Sequence, residues 1–276
     1  MTGSAAVQPG SKVVTAKRVT VLGLGEAGSR LAADLAAAGL DVRGYDPNAA
    51  ADVGVTCAHD TEAAVAGSDV VLSVSTAAAA AEAARMALPA LAAGALYADL
   101  NTGSPRLKRE LAGIVVGAGA RFADVALLGP VPARGLRTPA LASGAGAEDF
   151  AEIFRALGMP VEVVSVHAGD AATLKLLRSV FMKGLAASAI ESLDAAEAAG
   201  HAEWLQRELA GVIGEPLLER LLEGSRRHAT RRVDELEAAR DLLLELGVEP
   251  RITDASAALL AELAADRVGG DGDAGG

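Results

Sequence analysis

Cysteine is nearly absent. Cys57 stands alone among 276 residues, which rules out an internal disulfide, suits a reducing compartment, and reads as a small core residue rather than a nucleophile. Histidine is scarce too: His59, His167, His201 and His228 are scattered without ligand spacing, so no metal site is expected. Positive charge is in deficit, with a formal net charge of −11, which argues against a nucleic-acid surface. No run of about 18 strongly apolar residues occurs, and no basic segment followed by an apolar run and a cleavage site opens the chain. A soluble, cytoplasmic protein with no membrane partner is therefore expected. What is present is enough apolar content, 51%, for a sizeable core in one large or two modest domains.

The chain is organised around Arg18 to Gly28, RVTVLGLGEAG. Five residues of β-type alternation run into Gly23-Leu24-Gly25-Glu26-Ala27-Gly28, and the sequence then turns helical from Ser29 to Ala38. Gly23 permits a tight turn, Gly25 lets the backbone approach a pyrophosphate, and Gly28 allows close packing of helix on strand. The helix N-terminus offers free N–H groups and the positive end of its dipole. Gly39 is a plausible cap, and a second strand, Asp41 to Tyr45, ends in Asp46, where an acidic side chain would take ribose hydroxyls. These features predict a dinucleotide site over Gly23 to Gly28 with Asp46. The Asp46 carboxylate favours NAD over NADP by repelling a 2′-phosphate, with NADP left open. Arg43 is expected to point elsewhere on its strand.

Beyond Asp46, short β-like runs alternate with helical ones, as a doubly wound sheet requires. Strands are expected at Asp69 to Ser75, Ala95 to Leu100, Arg121 to Leu127, Leu141 to Ser143 and Val161 to Val166. Helices are expected at Thr76 to Ala92, broken near Pro89; after Ser104 and Pro105, which suit a cap and a first helical position; and at Glu148 to Leu157. Ser75 and Thr76, where strand meets helix, join the cofactor candidates. From Gly169 the character changes. Asp170 to Ala199 reads as one helix of about 45 Å, followed by helices at Ala202 to Val212, Pro216 to Leu222, Ser225 to Leu246 and Thr253 to Val268. The expected organisation is a flexible tail to about residue 16, a Rossmann domain over 17–166, an all-α substrate and dimerisation domain over 167–268 joined by a long helix, and a flexible tail over 269–276. Apolar stripes (Leu217, Leu218, Leu221, Leu222; Leu236, Leu242, Leu243, Leu246) suggest a homodimer.

Four motifs in order resemble the β-hydroxyacid dehydrogenase and 6-phosphogluconate dehydrogenase superfamily: GLGEAG at Gly23 to Gly28; Asp99-Leu100-Asn101-Thr102-Gly103-Ser104-Pro105; Phe122-Ala123-Asp124 leading to Gly129; and Gly169 followed six residues later by Lys175. The resemblance covers Arg18 to about Arg267. It implies a Rossmann domain, an all-α domain, a nicotinamide cofactor, and hydride transfer involving a small, anionic substrate such as a hydroxy acid. Lys175 corresponds to the catalytic lysine, the general base in oxidation and general acid in reduction; burial and a positive nicotinamide ring would disfavour its ammonium form. Departures stand at Leu128-Gly129-Pro130, where the family commonly has Ser-Gly-Gly around a carboxylate, and at Ser179, where it has asparagine. The segment Arg226 to Arg232 with Glu235 is similar to a less characterised actinobacterial-type branch.

Lys175, Ser179 and Lys183 share one helical face. Lys183 is a candidate for holding an anionic substrate group, with a solvated lysine as the alternative. Asn101 and Thr102, just past a strand's carboxyl end, are candidates for substrate contact or for a helix-capping turn, and Gly129 for the substrate loop. The Arg226 to Arg232 cluster reads either as a charged helix face laced to Glu223 and Glu235 or as an anion-recruiting patch, with Arg231 as its candidate contact beside His228 and Arg232. Two rival readings stay open: an imine reductase on the same scaffold, against which Lys175 counts, and a nucleotide-binding module without turnover.

Overall fold

The computed structural model describes residues 16–49 and 54–270, so most of the expected tails lies outside the described residues. The chain divides into two compact units. One comprises residues up to Asn101 together with Arg106–Ala171, and the other Thr102–Pro105 together with Ala172 onward.

The first unit is an α/β sandwich. Strands β1 (Arg18–Leu22), β2 (Asp41–Tyr45), β3 (Thr56–Cys57), β4 (Val70–Ser73), β5 (Leu96–Asp99), β6 (Arg121–Leu127), β7 (Ala140–Ser143) and β8 (Val161–Ser165) form one sheet in the order β3-β2-β1-β4-β5-β6-β7-β8. Helices α1 (Glu26–Ala37), α2 (Thr61–Val65), α3 (Ala77–Ala87), α4 (Pro105–Gly117), α5 (Val131–Arg134) and α6 (Ala147–Ala156) connect them. Strand residues alternate between two cores. Val19, Val21, Leu72, Leu96 and Ala123 pack with Leu31, Leu35, Phe150 and Phe154, whereas Val71, Tyr97 and Phe122 pack with Leu111 and Val115. Cover on both faces explains why these strands read as nearly continuous apolar runs.

Two details depart from a uniformly parallel sheet or from expectation. β7 runs antiparallel to β6, and β8 is parallel to β7. The connection from β6 to β7 carries a single turn of α-helix, α5, too little to make the crossover that a parallel neighbour needs. Cys57 is exposed rather than a core residue, because β3 is a two-residue strand at the sheet's edge.

The second unit is helical. α7 (Asp170–Ala198) is continuous, about 44 Å long at 1.5 Å per residue, and is followed by α8 (Ala202–Ile213), α9 (Glu215–Arg227), α10 (Ala229–Glu245) and α11 (Arg251–Gly270). The expected helix from Ser225 to Leu246 is divided at His228, whose φ of −128° and ψ of 35° leave the helical region. Arg226 and Arg227 thus end one helix while Arg231 and Arg232 start the next, and the cluster is not one helical face. The leucines expected to seek a partner are largely consumed inside this unit: Leu218, Leu221, Leu222, Leu236, Leu242 and Leu243 are buried. Leu246 of the expected stripe is exposed, and the other exposed large apolar side chains of this unit include Leu174, Leu177 and Phe181 on α7, Trp204 and Val212 on α8, Leu244, Val248, and Ile252 on α11.

Candidate functional site

In the first unit, the glycine turn is built as a cradle for a phosphate-bearing ligand. Gly23 has φ of +97°, and a Cβ there would lie 2.5 Å from the Val74 carbonyl oxygen and 2.9 Å from the Ser75 nitrogen. A Cβ on Gly28 would run into the Gly23 carbonyl, while Gly25 has nothing within 4 Å of its Cβ position. Gly23 and Gly28 are therefore fixed by packing, and Gly25 opens onto space at the start of α1, where the next N–H groups lack carbonyl partners of their own. No side chain caps that N-terminus. Asp46 braces the turn: one carboxylate oxygen accepts from the Leu24 N–H at 2.7 Å and the other from the Asn48 N–H at 2.8 Å. Arg43 donates to the carbonyls of Ala63 and Ala66. Ser75 and Thr76 are exposed beside the turn, and Thr76 also caps α3 by accepting from the Ala79 N–H at 3.2 Å. Residues Gly23 to Gly28, Asp46 and Ser75 are thus brought together, and they fit a dinucleotide.

A second feature of this unit was not expected. Strand register aligns Ser73, Asp99, Asp124 and Ser143 in one row across β4 to β7, and all four are fully buried. Lys108 of α4, 1% exposed, enters this row. Its Nζ lies 2.5 Å from Asp99 Oδ2 and 3.2 Å from Asp124 Oδ1, and it donates to the Asp99 carbonyl at 2.9 Å. Burial alone would lower the Lys108 pKa, but the two carboxylates overcome it and hold the ammonium above its ordinary value. A sequence signal existed: a lysine in the first turn of a helix, with no acidic residue beside it, opposes the helix dipole and needs a partner. Asn101 belongs to the same row. Its Nδ2 donates to Asp99 Oδ1 at 2.6 Å and to Ser73 Oγ at 2.9 Å, while its Oδ1 has no hydrogen-bond partner among the described residues. Because the carboxylate only accepts, the amide orientation is fixed.

The substrate loop offers little. The Leu128 N–H is spent on the Pro139 carbonyl at 2.8 Å, and Pro130 has none, which leaves Gly129 as the backbone donor of this stretch.

In the second unit, Lys175 Nζ donates to the Thr102 hydroxyl at 2.8 Å. One turn along α7, Ser179 is 4% exposed and accepts from Lys183 Nζ at 3.1 Å. Lys183 also donates to Glu235 of α10. Arg231 Nε approaches the other Glu235 oxygen at 3.5 Å from a largely exposed side chain, a weak pair. Arg232 turns away, donating to Ser225 Oγ and the Leu221 carbonyl. Burial would raise the Glu235 pKa, but Lys183, Lys175 and Arg231 together pull it below the usual carboxylate range. The Lys183 pKa is lowered as well: burial lowers it, and one carboxylate does not offset burial plus the repulsion of Arg232 and Arg231. Lys183 and Arg231 therefore meet at Glu235, with Ser179 bonded to Lys183 and the charge of Lys175 felt at Glu235. Glu235 itself was visible only as a partner of surface arginines, since its burial depends on how α10 packs on α7. Among the described residues no group of three or more histidines, cysteines or carboxylates is placed to hold a metal ion, and no helix is long and apolar enough to cross a membrane.

Residues 18–169 match the NAD binding domain of 6-phosphogluconate dehydrogenase. The chain belongs to this family. Residues 196–263 match a domain of unknown function (DUF1932), consistent with a branch whose helical part has no assigned role. A conserved protein of unknown function, described as structurally similar to 3-hydroxyacid dehydrogenases, is 30% identical with a TM-score of 0.72 over 91% of this chain and 98% of that one. The 3-hydroxyisobutyrate dehydrogenase of Mycobacterium tuberculosis, determined with L-serine, has a TM-score of 0.79 at 21% identity over 91% and 95% of the two chains. A reductive aminase from Aspergillus terreus, determined with NADPH and ethyl levulinate, has a TM-score of 0.62 at 20% identity over 91% and 95%. An uncharacterised 28.5 kDa protein of Methanothermus fervidus is 28% identical over 56% of this chain and 61% of its own length, so this chain spans less than two thirds of that curated relative. The fold is thus an NAD(P)-binding, 3-hydroxyacid dehydrogenase-like one.

The depressed pKa of Glu235 carries a stability consequence. Its folded value lies below its unfolded value, so its contribution is fully present above about pH 4.5 and is lost as pH falls through the folded pKa. Glu235→Gln is expected to cost about 1.5–3 kcal/mol near neutrality, the worth of hydrogen bonds to a charged group. The gap from wild type should close on acidification. Thermal melts of both proteins between pH 7 and pH 3 check this, and a gap independent of pH contradicts it.

Proposed function

We propose that this protein is an NAD(P)-dependent oxidoreductase that moves a hydride between nicotinamide and a small hydroxy acid or related alcohol or carbonyl compound. The observation that carries the reading is Lys175, held at 2.8 Å on the Thr102 hydroxyl at the head of a polar α7 face. Bound nicotinamide would supply the hydride chemistry, with Gly23 to Gly28, Asp46, Ser75 and Thr76 as its holders. As a neutral amine Lys175 takes the proton of a substrate hydroxyl, and as an ammonium it returns a proton to a carbonyl oxygen. Thr102, as acceptor, keeps Nζ from swinging along its flexible stem. Ser179 orients a substrate oxygen, and Lys183 and Arg231 supply positive charge for an anionic substituent. Asn101, buried and doubly bonded within its own unit, supports Thr102 as its chain neighbour rather than serving as a mobile contact. The single backbone donor at Gly129 argues that side-chain cations do the work that a glycine loop would otherwise do, and it keeps carbonyls and imines in the substrate panel.

Asp46, braced against two backbone N–H groups, supports a preference for NAD, and Arg43 is committed to carbonyls and offers no partner to a 2′-phosphate. Asp46→Ala is expected to narrow the NADH over NADPH preference while weakening both, because the Leu24 N–H loses its acceptor. Fluorescence titration of both cofactors reads this, and equal wild-type affinity for the two contradicts it.

We also propose a homodimer, supported by Leu174, Leu177 and Phe181 in a row along α7, the last 68% exposed. Light scattering should give twice the chain's 27.6 kDa at micromolar concentration, and Phe181→Glu should release monomers. A wild-type monomer refutes the proposal.

Lys175→Ala is expected to leave NADH binding nearly unchanged and to cut turnover by about 10² or more, the scale of a lost general acid or base. Lys175→Arg should rescue little, because a guanidinium does not release its proton near neutrality. Ser179→Ala should be milder, near the worth of one hydrogen bond, about 1 kcal/mol. A panel of 2- and 3-hydroxy acids, their oxo forms and cyclic imines, followed by NADH absorbance, makes the measurement. Undiminished turnover in Lys175→Ala overturns the assignment.

A further inference from the structure

The chain leaves the sheet unit at two places, after Asn101 and after Ala171, and both are tied to one buried cluster. On the first arm, Lys108 Nζ holds the Asp99 carboxylate and carbonyl, and Asp99 Oδ1 accepts from Asn101, the residue before Thr102. On the second arm, Asp124 Oδ2 accepts from the Gly169 N–H and from Ser143 Oγ, each at 3.1 Å. Ser143 Oγ in turn accepts from the Ala171 N–H at 3.0 Å, and Lys175 stands one helical turn beyond Ala171. Lys108 joins the arms by facing both Asp99 and Asp124, which are paired side by side on β5 and β6.

We infer that Lys108 is a positioning residue for Lys175: its ammonium clamps the two chain exits together, so that the Thr102 hydroxyl and the first turns of α7 arrive at one fixed separation. The inference rests on the reading of Lys175 as proton carrier. Stability alone is a poor explanation for such a cluster, since a buried ion triad is often replaceable by apolar residues without loss, whereas fixing register is the best-attested use of buried ionic groups. Both carboxylates that Lys108 holds bond in turn to a group at an exit, Asp99 to Asn101 and Asp124 to the Gly169 N–H, which a merely space-filling lysine would not require. Nothing in the order of motifs assigns Lys108 this task, and it touches neither Thr102 nor Lys175.

The test uses full-length protein, reductively methylated with ¹³C-formaldehyde, with Lys175→Arg identifying the Lys175 signal in NMR spectra. Lys108→Met alone leaves two unbalanced carboxylates and risks misfolding. Lys108→Met with Asp124→Asn keeps the cluster at the wild-type net charge of one negative, and Ser143→Ala removes the link to Ala171 together with the Ser143 hydrogen bond to Asp124, leaving Lys108 and both carboxylates in place. In folded variants the Lys175 signal and its titration midpoint are expected to move from their wild-type positions, with NADH affinity unchanged within about twofold, as none of the substituted residues lies in the glycine turn or the α1 N-terminus proposed to hold the phosphates. On a substrate that wild type turns over, kcat should fall roughly tenfold to a hundredfold with a smaller effect on KM, the scale of an ångström-level misplacement. Wild-type Lys175 signal and titration in Ser143→Ala and in the folded double variant overturn the inference. If wild type turns over nothing in the panel, the acid–base reading fails while the NMR comparison still decides the positioning.

Discussion

The structure of the sheet unit depends on one ammonium. Lys108 is 1% exposed between Asp99 and Asp124, which are fully buried, and a charge so placed is tolerable only if its partners are close and its protons are used. They are used on two carboxylates and a carbonyl. Remove the ammonium and two carboxylates face each other across adjacent strands in register. The segments before Thr102 and at the start of α7 would then be anchored to a repelling pair. The same residues that look like a strand-end aspartate and a loop asparagine in sequence are therefore parts of one constraint.

The two buried lysines show how local stoichiometry of charge decides ionisation. Both suffer desolvation. Lys108 has two carboxylates, and its pKa rises; Lys183 shares one carboxylate with neighbouring cations, and its pKa falls. Glu235 reports the same imbalance from the other side, being held ionised by Lys183, Lys175 and Arg231. The sheet cluster thus carries excess negative charge sealed from solvent, where it shapes the backbone. The helical cluster carries excess positive charge with Arg231 reaching water, in keeping with the proposed anionic substrate.

Features that arise from consecutive residues were legible in the sequence. The β1 to α1 turn was readable because Gly23, Gly25 and Gly28 act within six residues, and the helical half because apolar periodicity is local. What failed was non-local. Cys57 looked like core until β3 proved to be an edge strand. The Ser225 to Leu246 run hid a break at His228, since nothing there is proline or glycine and only backbone geometry marks it. The leucine stripes of α9 and α10 implied an outside partner, yet other helices of the same unit cover them. Lys108 was missed because its partners are a strand end nine residues back and a strand sixteen residues on, joined only by sheet register.

That distinction bears on substrate recognition. A glycine loop holds a carboxylate with backbone N–H groups whose direction is fixed and whose charge does not titrate. Here Leu128 has spent its N–H within the sheet and Pro130 has none to give, so that mode is largely lost. Lys183 and Arg231 of the second unit, which we propose as contacts of an anionic substrate, carry charge on flexible stems restrained by Glu235. Recognition by such groups is less directional, is screened by salt where exposed, and competes with the resident carboxylate: an incoming anion gains most if it draws Lys183 or Arg231 away from Glu235. On the proposed reading of Lys183 and Arg231 as substrate contacts, selectivity would favour a compact, strongly charged anion over a neutral substrate of equal shape, because only the charged one compensates Lys183 for the contact with Glu235 that it gives up.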